Sequence, residues 1–164
     1  MEKQIRIIVT GGTFDKEYDE LTGALFFKDT HVGEMLRLGR SELDIEVETL
    51  MLMDSLEMTQ AHRESLVQSV RQCPEKRVLI THGTDTLELT ARTLSDAKIE
   101  GKTIVLTGAM VPYKFGSSDG LFNLGSALAF VQSLSAGVYA AMNGRALLGT
   151  RVVKDRATGK FREI

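Results

Sequence analysis

The sequence predicts one α/β domain spanning residues 1–164, doubly wound around a mostly parallel sheet with helices on both faces. Three observations support this. Short apolar runs alternate with amphipathic stretches along the whole length, the pattern of βαβ units. No repeat, low-complexity tract or Pro/Gly/Ser linker divides the chain. At 164 residues it fits one domain and can bury roughly two-thirds of the surface its unfolded form exposes.

The elements follow in order. Ile5-Arg6-Ile7-Ile8-Val9 reads as a buried strand, and further strands are expected at 45–52, 77–81, 103–107 and 138–142. Helices are expected at about 31–39, 59–73, 85–97 and 120–134. In the second helix Leu66, Val67, Val70 and Cys73 share a face, with Arg63, Glu64, Gln68 and Arg71 elsewhere. Strands separated by helices imply parallel pairing and a sheet covered on both sides. Pro74 and Pro112 both fall where an element should already have ended. Residues 11–30 and 108–120 read as irregular connections, and one as long as the first suggests a lid or a plain surface loop.

Composition excludes several classes. Apolar residues make up 43% and charged residues 26%, the mix of a soluble globular protein. The net charge is −2 with no basic cluster, so nucleic-acid binding has little electrostatic support. Cys73 stands alone, which rules out an intrachain disulfide or a paired-cysteine metal site. Met1-Glu2-Lys3-Gln4 leads straight into the first strand without a basic, apolar leader. No run approaches the roughly 20 apolar residues a membrane span needs. A cytoplasmic protein that does not engage membranes is therefore expected. No metal-ligand spacing occurs, and Asp15, Glu17, Asp19 and Glu20 read as a solvated acidic run.

Chemistry concentrates in two threonine-rich turns, each directly after a strand: Val9-Thr10-Gly11-Gly12-Thr13 and Thr81-His82-Gly83-Thr84-Asp85-Thr86. Open α/β sheets bind ligands at such strand ends. Gly11 and Gly12 permit unusual backbone angles and expose amide N–H groups, so Thr13 could be a nucleophile beside an oxyanion site. The same turn could merely redirect the chain, or cradle a phosphate, although it lacks both G-x-G-x-x-G and GK[ST] spacing. Asp85, with Glu88 three residues on, reads as a helix cap or as a carboxylate facing a ligand's ammonium. A threonine hydroxyl needs a base. His82 is expected to point away from the crevice, and His31 and His62 to lie on helix surfaces. Lys154 could relay a proton beside Asp85 or be a solvated charge. Tyr18, five residues past Thr13, could exchange a proton or pack within the lid.

With those residues assembled, the chain resembles the bacterial-type L-asparaginase/glutaminase family. The resemblance rests on Thr10-Gly11-Gly12-Thr13-Phe14 and on Thr81-His82-Gly83-Thr84-Asp85-Thr86-Leu87-Glu88. Val105-Leu106-Thr107-Gly108-Ala109-Met110-Val111-Pro112 and Ser118-Asp119-Gly120-Leu121-Phe122-Asn123-Leu124 extend it. It implies a threonine-nucleophile amidohydrolase acting on L-asparagine or L-glutamine, with no cofactor and no metal. Thr13 would be the nucleophile, Thr84, Asp85 and Lys154 the activating group, and Tyr18 the proton partner. Substrate contacts would come from Gly12, Asp54, Ser55, Leu56, Gly83, Thr84, Asp85 and Ala109. Phe26 stands where many members carry a tyrosine, and the second domain of larger members has no counterpart here. A homo-oligomer is expected, because a one-domain chain needs a neighbour to close its crevice. Two other readings stay open: an amino-acid-binding or sensing module of weak activity, and a phosphate-binding α/β domain, disfavoured because Asp85 would repel a phosphate.

Overall fold

In the computed structural model, which describes residues 4–164, the layering follows from alternation along the strands. Met1–Lys3, part of the segment read as lacking a leader, lie outside the described residues. Along β1 (Ile5–Gly11), Ile5, Ile7 and Val9 enter one apolar cluster and Ile8 enters another. A pleated strand turns successive side chains to opposite faces. β5 (Arg77–Thr81) and β6 (Thr103–Thr107) repeat the split. Val78, Ile80, Ile104 and Leu106 join Ile8, while Leu79 and Val105 join Ile5.

The helices divide to match. α2 (Gln60–Gln72) and α3 (Leu87–Asp96) bring Leu66, Val67, Val70, Leu87, Ala91 and Leu94 to the Ile8 side. α1 (Val32–Leu38) and α4 (Gly120–Ser133) bring Val32, Met35, Leu124, Ala127, Leu128 and Val131 to the other. Both faces are therefore covered, as the sequence predicts.

With β4 (Ile45–Met53), β7 (Gly137–Met142) and β8 (Arg145–Leu148), the main sheet runs β4-β1-β5-β6-β7-β8. Every neighbouring pair is parallel except β7–β8. That edge hairpin is absent from the elements expected of the sequence. Asn143 and Gly144, at φ 57° and 75°, make its two-residue turn, the pairing of residues that favours such turns. The connection leaving β1 runs to β4 on one side, and the one leaving β4 passes back over β1 to reach β5. The order thus reverses between β1 and β5, and a crevice opens at their C-terminal ends.

The connection at 11–30 is more regular than expected. A 3₁₀ turn (Thr13–Asp15) leads into an antiparallel hairpin of β2 (Lys16–Tyr18) and β3 (Leu25–Phe27). Its acidic residues are not uniformly solvated: Asp15 is fully buried, because its Oδ1 accepts the His31 N–H at 2.8 Å. At the other end of the chain, β9 (Val152–Lys154) and β10 (Phe161–Glu163) form a second small antiparallel pair. Phe161 anchors it in the Ile8-side core. Among the described residues no helix is long and apolar enough to cross a membrane.

Burial sets the scale for core substitutions. Leu66→Ala, at a fully buried α2 position, should lower unfolding free energy by about 2–5 kcal/mol in urea titrations. Leu38→Ala, at a side chain 61% exposed, should stay within about 0.5 kcal/mol of the parent.

Candidate active site

The crevice is built on close backbone approach between strand-end turns. Gly12, at φ 72°, lies against the Gly83 backbone so closely that a Cβ at Gly12 would collide with both the Gly83 nitrogen and α-carbon. A Cβ at Gly83 would in turn meet Ser55 Cβ and Oγ at 2.6 Å. Three turns, following β1, β4 and β5, are thereby stacked, with the Ser55 side chain the only one at these two contacts. Thr10 adds a bond across the same strand ends, its Oγ1 donating to the Thr81 carbonyl at 2.7 Å.

The second threonine turn meets β9 here. Lys154 Nζ donates to Thr84 Oγ1 and to Asp85 Oδ1, each at 2.9 Å. The Lys154 side chain is only 7% exposed, so it is not a solvated surface charge. Asp85 does not cap α3, contrary to one expectation. The cap residue is Thr86, without a side-chain capping bond. The reason lies in the cations opposite: Asp85 takes Lys154 and Arg156, and Glu88 accepts the Lys154 N–H at 2.9 Å. The Asp85 carboxylate is thus committed to cations and not to an N–H of α3.

Behind the turn lies a buried network that departs from the sequence expectation. Arg63, expected off the apolar face of its helix, is 6% exposed. Its Nε donates to Thr90 Oγ1 at 3.0 Å, Nη1 to the Met58 carbonyl at 3.1 Å and Nη2 to Thr86 Oγ1 at 2.9 Å. The Thr86 hydroxyl donates to the Ser55 carbonyl at 2.9 Å, while the Thr86 N–H reaches Ser55 Oγ at 3.3 Å. Ser55 Oγ thus accepts from the backbone and keeps its proton to donate. Thr90 Oγ1 lies 2.7 Å from His82 Nε2, and His82 Nδ1 lies 2.7 Å from the Gly83 carbonyl. A carbonyl only accepts, so Nδ1 carries the proton and Nε2 accepts from Thr90. Burial, and secondarily the Arg63 charge, hold His82 down to about 4, so it stays neutral at physiological pH. It points into the core, as expected, and supplies no base to the crevice.

Thr13 follows Gly12 directly and is half-buried; among the described residues its hydroxyl makes no hydrogen bond. The segment after it is fastened twice. Lys16 Nζ binds Asp54 Oδ2 at 2.7 Å, and Asp54 Oδ1 accepts the Leu56 N–H at 3.0 Å. The Asp54 carboxylate, held below the usual range first by Lys16, acts as a tie between the two turns. Leu56 itself is 71% exposed at the rim. His31 is a buried residue at the start of α1, not a surface one, because Asp15 Oδ1 draws its N–H inward. Burial raises the Asp15 carboxyl above its ordinary value. Tyr18 sits on the hairpin, half-exposed, edge-on to Phe115 with ring centroids 6.4 Å apart. Phe26 is exposed on the opposite strand.

The fourth wall is the turn after β6. Ala109 is fully buried there. Asn123 Nδ2 donates to the Gly108 carbonyl at 2.8 Å, and the Asp119 carboxylate accepts the Met110 and Val111 N–H groups. Asp119 and Asn123 belong to a segment whose sequence assigns them no role; in the fold they hold this turn in place. The crevice is marked by chemistry, not by size. One surface hollow of about 480 Å³ lies away from it, between β4 and α2, lined by residues such as Glu48, Leu50 and Ser69.

Comparison with known proteins gives this arrangement its relatives. The model of the domain described as "Asparaginase, N-terminal" matches residues 4–161. The glutaminase-asparaginase of Pseudomonas fluorescens biotype A is 31% identical over 160 residues, covering 90% of this chain and 44% of that protein. One of the glutamyl-tRNA(Gln) amidotransferase subunits of Thermofilum pendens is 31% identical over 156 residues, covering 87% of this chain and 34% of that one. The solved structure of the thermostable L-asparaginase of Thermococcus kodakarensis superposes with a TM-score of 0.83 at 29% identity, over 98% of this chain and 51% of that one. The chain spans less than half the length of these two curated relatives.

The buried network sets two expectations. His82 resists protonation until about 4 when folded, against an ordinary 6.5. The unfolded chain therefore binds that proton first, and stability present above 6.5 is lost as pH falls through this window. The loss should be on the order of 3 kcal/mol by pH 4. Asp15, with its value raised, works in the opposite sense, so urea unfolding of His82→Asn beside the parent isolates the imidazole: its slope between pH 6.5 and 4.5 should flatten. Arg63→Met removes three hydrogen bonds to groups that stay buried. It should lower unfolding free energy by about 2–4 kcal/mol.

Proposed function

The chain belongs to the asparaginase family, and on that premise we propose that it is an amidohydrolase that releases ammonia from the side-chain amide of L-asparagine, with Thr13 as nucleophile. The observation that supports this most directly is the Lys154–Thr84–Asp85 cluster. Its lysine comes from a segment 69 and 70 residues away from its partners, and its Nζ lies 2.9 Å from each. A lysine buried to 7% exposure against a hydroxyl at the mouth of a crevice has little structural purpose that a neutral residue would not serve better.

In this reading Thr13 Oγ attacks the amide carbonyl carbon. In this scheme the developing oxyanion is met by backbone N–H groups near the two Gly-rich turns, other than that of Gly12, which donates to the Met53 carbonyl at 2.9 Å. Collapse expels ammonia, with Tyr18 or Lys154 passing the Thr13 hydroxyl proton to the leaving nitrogen, and leaves a threonyl ester. Water polarised by Thr84 and Lys154 attacks the ester carbonyl, and one of its protons restores the Thr13 hydroxyl. One amide and one water thus give one carboxylate and one ammonium. Ser55, with its hydroxyl proton free, suits the substrate's α-carboxylate, and Asp85 suits the α-ammonium. Asp54, Leu56 and Ala109 shape the neighbouring walls. L-Glutamine, one methylene longer, is a second candidate substrate, in keeping with the name of the Pseudomonas relative.

We further propose that residues 1–164 act as one domain in a reducing, cytoplasmic setting, as a homo-oligomer whose neighbour closes the crevice. No cofactor takes part in this scheme. A second reading has one observation in its favour: likeness to a subunit of a glutamyl-tRNA(Gln) amidotransferase suggests that the ammonia could serve a larger assembly.

Ammonia release from L-asparagine and L-glutamine, followed with a coupled assay, tests the proposal. Thr13→Ala and Lys154→Met should each reduce kcat about 10²-fold or more. Tight L-aspartate binding by the parent protein without any turnover would instead identify a sensing module.

A further inference from the structure

The ammonium seat of the proposed site already has an occupant. Arg156, two residues past Lys154, reaches over Asp85: Nη2 donates to the Asp85 carbonyl at 2.7 Å and Nη1 to Asp85 Oδ1 at 3.3 Å. The same Nη2 lies 3.5 Å from Glu88 Oε1. Asp85 Oδ1, moreover, is the atom that Lys154 holds. Two carboxylates, Asp85 and Glu88, are thus matched by two cations, Lys154 and Arg156. The corner is neutral before any ligand enters.

The turn that carries Arg156 is well fixed. Asp155 donates its N–H to the Lys160 carbonyl at 2.8 Å, its own carbonyl accepts the Gly159 N–H at 2.8 Å, and its Oδ1 accepts the Ala157 N–H at 3.0 Å. The guanidinium is therefore presented to Asp85 by a closed hairpin, not by a loose tail. This planar group brings a positive charge and several N–H donors to this corner. An incoming α-ammonium must displace it or share one carboxylate with two resident cations. A substrate that offers an amide and a carboxylate but no ammonium meets no such competition.

We propose that Arg156 is a specificity-determining residue that holds the cation seat at Asp85 and turns the site toward ω-amides of dicarboxylic acids lacking an α-ammonium. This rests on the amidohydrolase reading and refines it: L-asparagine is bound less tightly than Asp85 alone would bind it, and its deaminated analogue competes on at least equal terms. The Arg156 side chain is 55% exposed, so the effect is moderate, about fivefold, the range of a solvent-screened ion pair.

The test compares L-asparagine with succinamate, the same amide without its amino group, in the parent, Arg156→Gln and Arg156→Lys. Binding of L-aspartate and succinate is measured by calorimetry in the same three proteins. In the parent, succinamate should equal or exceed asparagine in kcat/KM. Arg156→Gln should shift that ratio about fivefold toward asparagine, through KM, and Arg156→Lys should not. The aspartate/succinate affinity ratio should move in parallel. Ratios that are the same in all three proteins, or a parent that strongly prefers the amino acid, would overturn the assignment. If no amide is hydrolysed, the amidohydrolase reading fails, and the affinity ratios still decide the role of Arg156.

Discussion

The contact between Gly12, Gly83 and Ser55 is the constraint on which the rest depends. Three turns from three strands touch backbone to backbone or backbone to Cβ, leaving no room for a methyl group at either glycine. That contact sets how far Thr13 stands from Thr84, because each follows its glycine by one residue. It also brings the backbones of both turns together. Side chains elsewhere serve this arrangement from behind: Arg63 by way of Thr86 and Thr90, Asn123 by way of Gly108, and Lys16 by way of Asp54. Fixed dipoles of this kind are effective because they need no reorganisation when charge develops.

Much of this is legible in the chain. Apolar runs such as Val78-Leu79-Ile80 locate the strands to within a residue or two, since burial on both faces demands continuous apolar sequence. The two threonine turns are visible because glycines and hydroxyls after a buried strand have few other uses. Lys154 stays open from its residues alone between a proton relay and a solvated charge, for nothing in its local sequence signals burial, and the resemblance to a family favours the first. Asn143-Gly144, by contrast, is a local signal that points to the β7–β8 hairpin without any help from the fold.

The residues whose placement differs from expectation share a cause. Arg63, His31 and Asp15 are polar residues buried by partners distant in sequence: Thr86 and Thr90 for Arg63, and a pairing sixteen residues apart for Asp15 and His31. Local pattern reads such residues as surface because their satisfaction is tertiary. Asp85 illustrates the same point in reverse. Its local sequence admits a helix cap, and in the fold two cations from the C-terminal hairpin take its carboxylate instead. Polar satisfaction is decided by the whole fold, whereas apolar periodicity is decided by each element alone.

The distances along the chain that the crevice spans have a kinetic consequence. Thr10 meets Thr81 across 71 residues, and Lys154 meets Thr84 across 70. Closing loops of that size costs entropy before any contact repays it, and parallel pairing is slow for the same reason. β9, which carries Lys154 and lies beside α3, comes last of these partners along the chain. During synthesis, a polypeptide that has emerged only as far as β8 carries both threonine turns yet lacks the amine that joins them, so maturation of the crevice waits on the stretch of translation that follows.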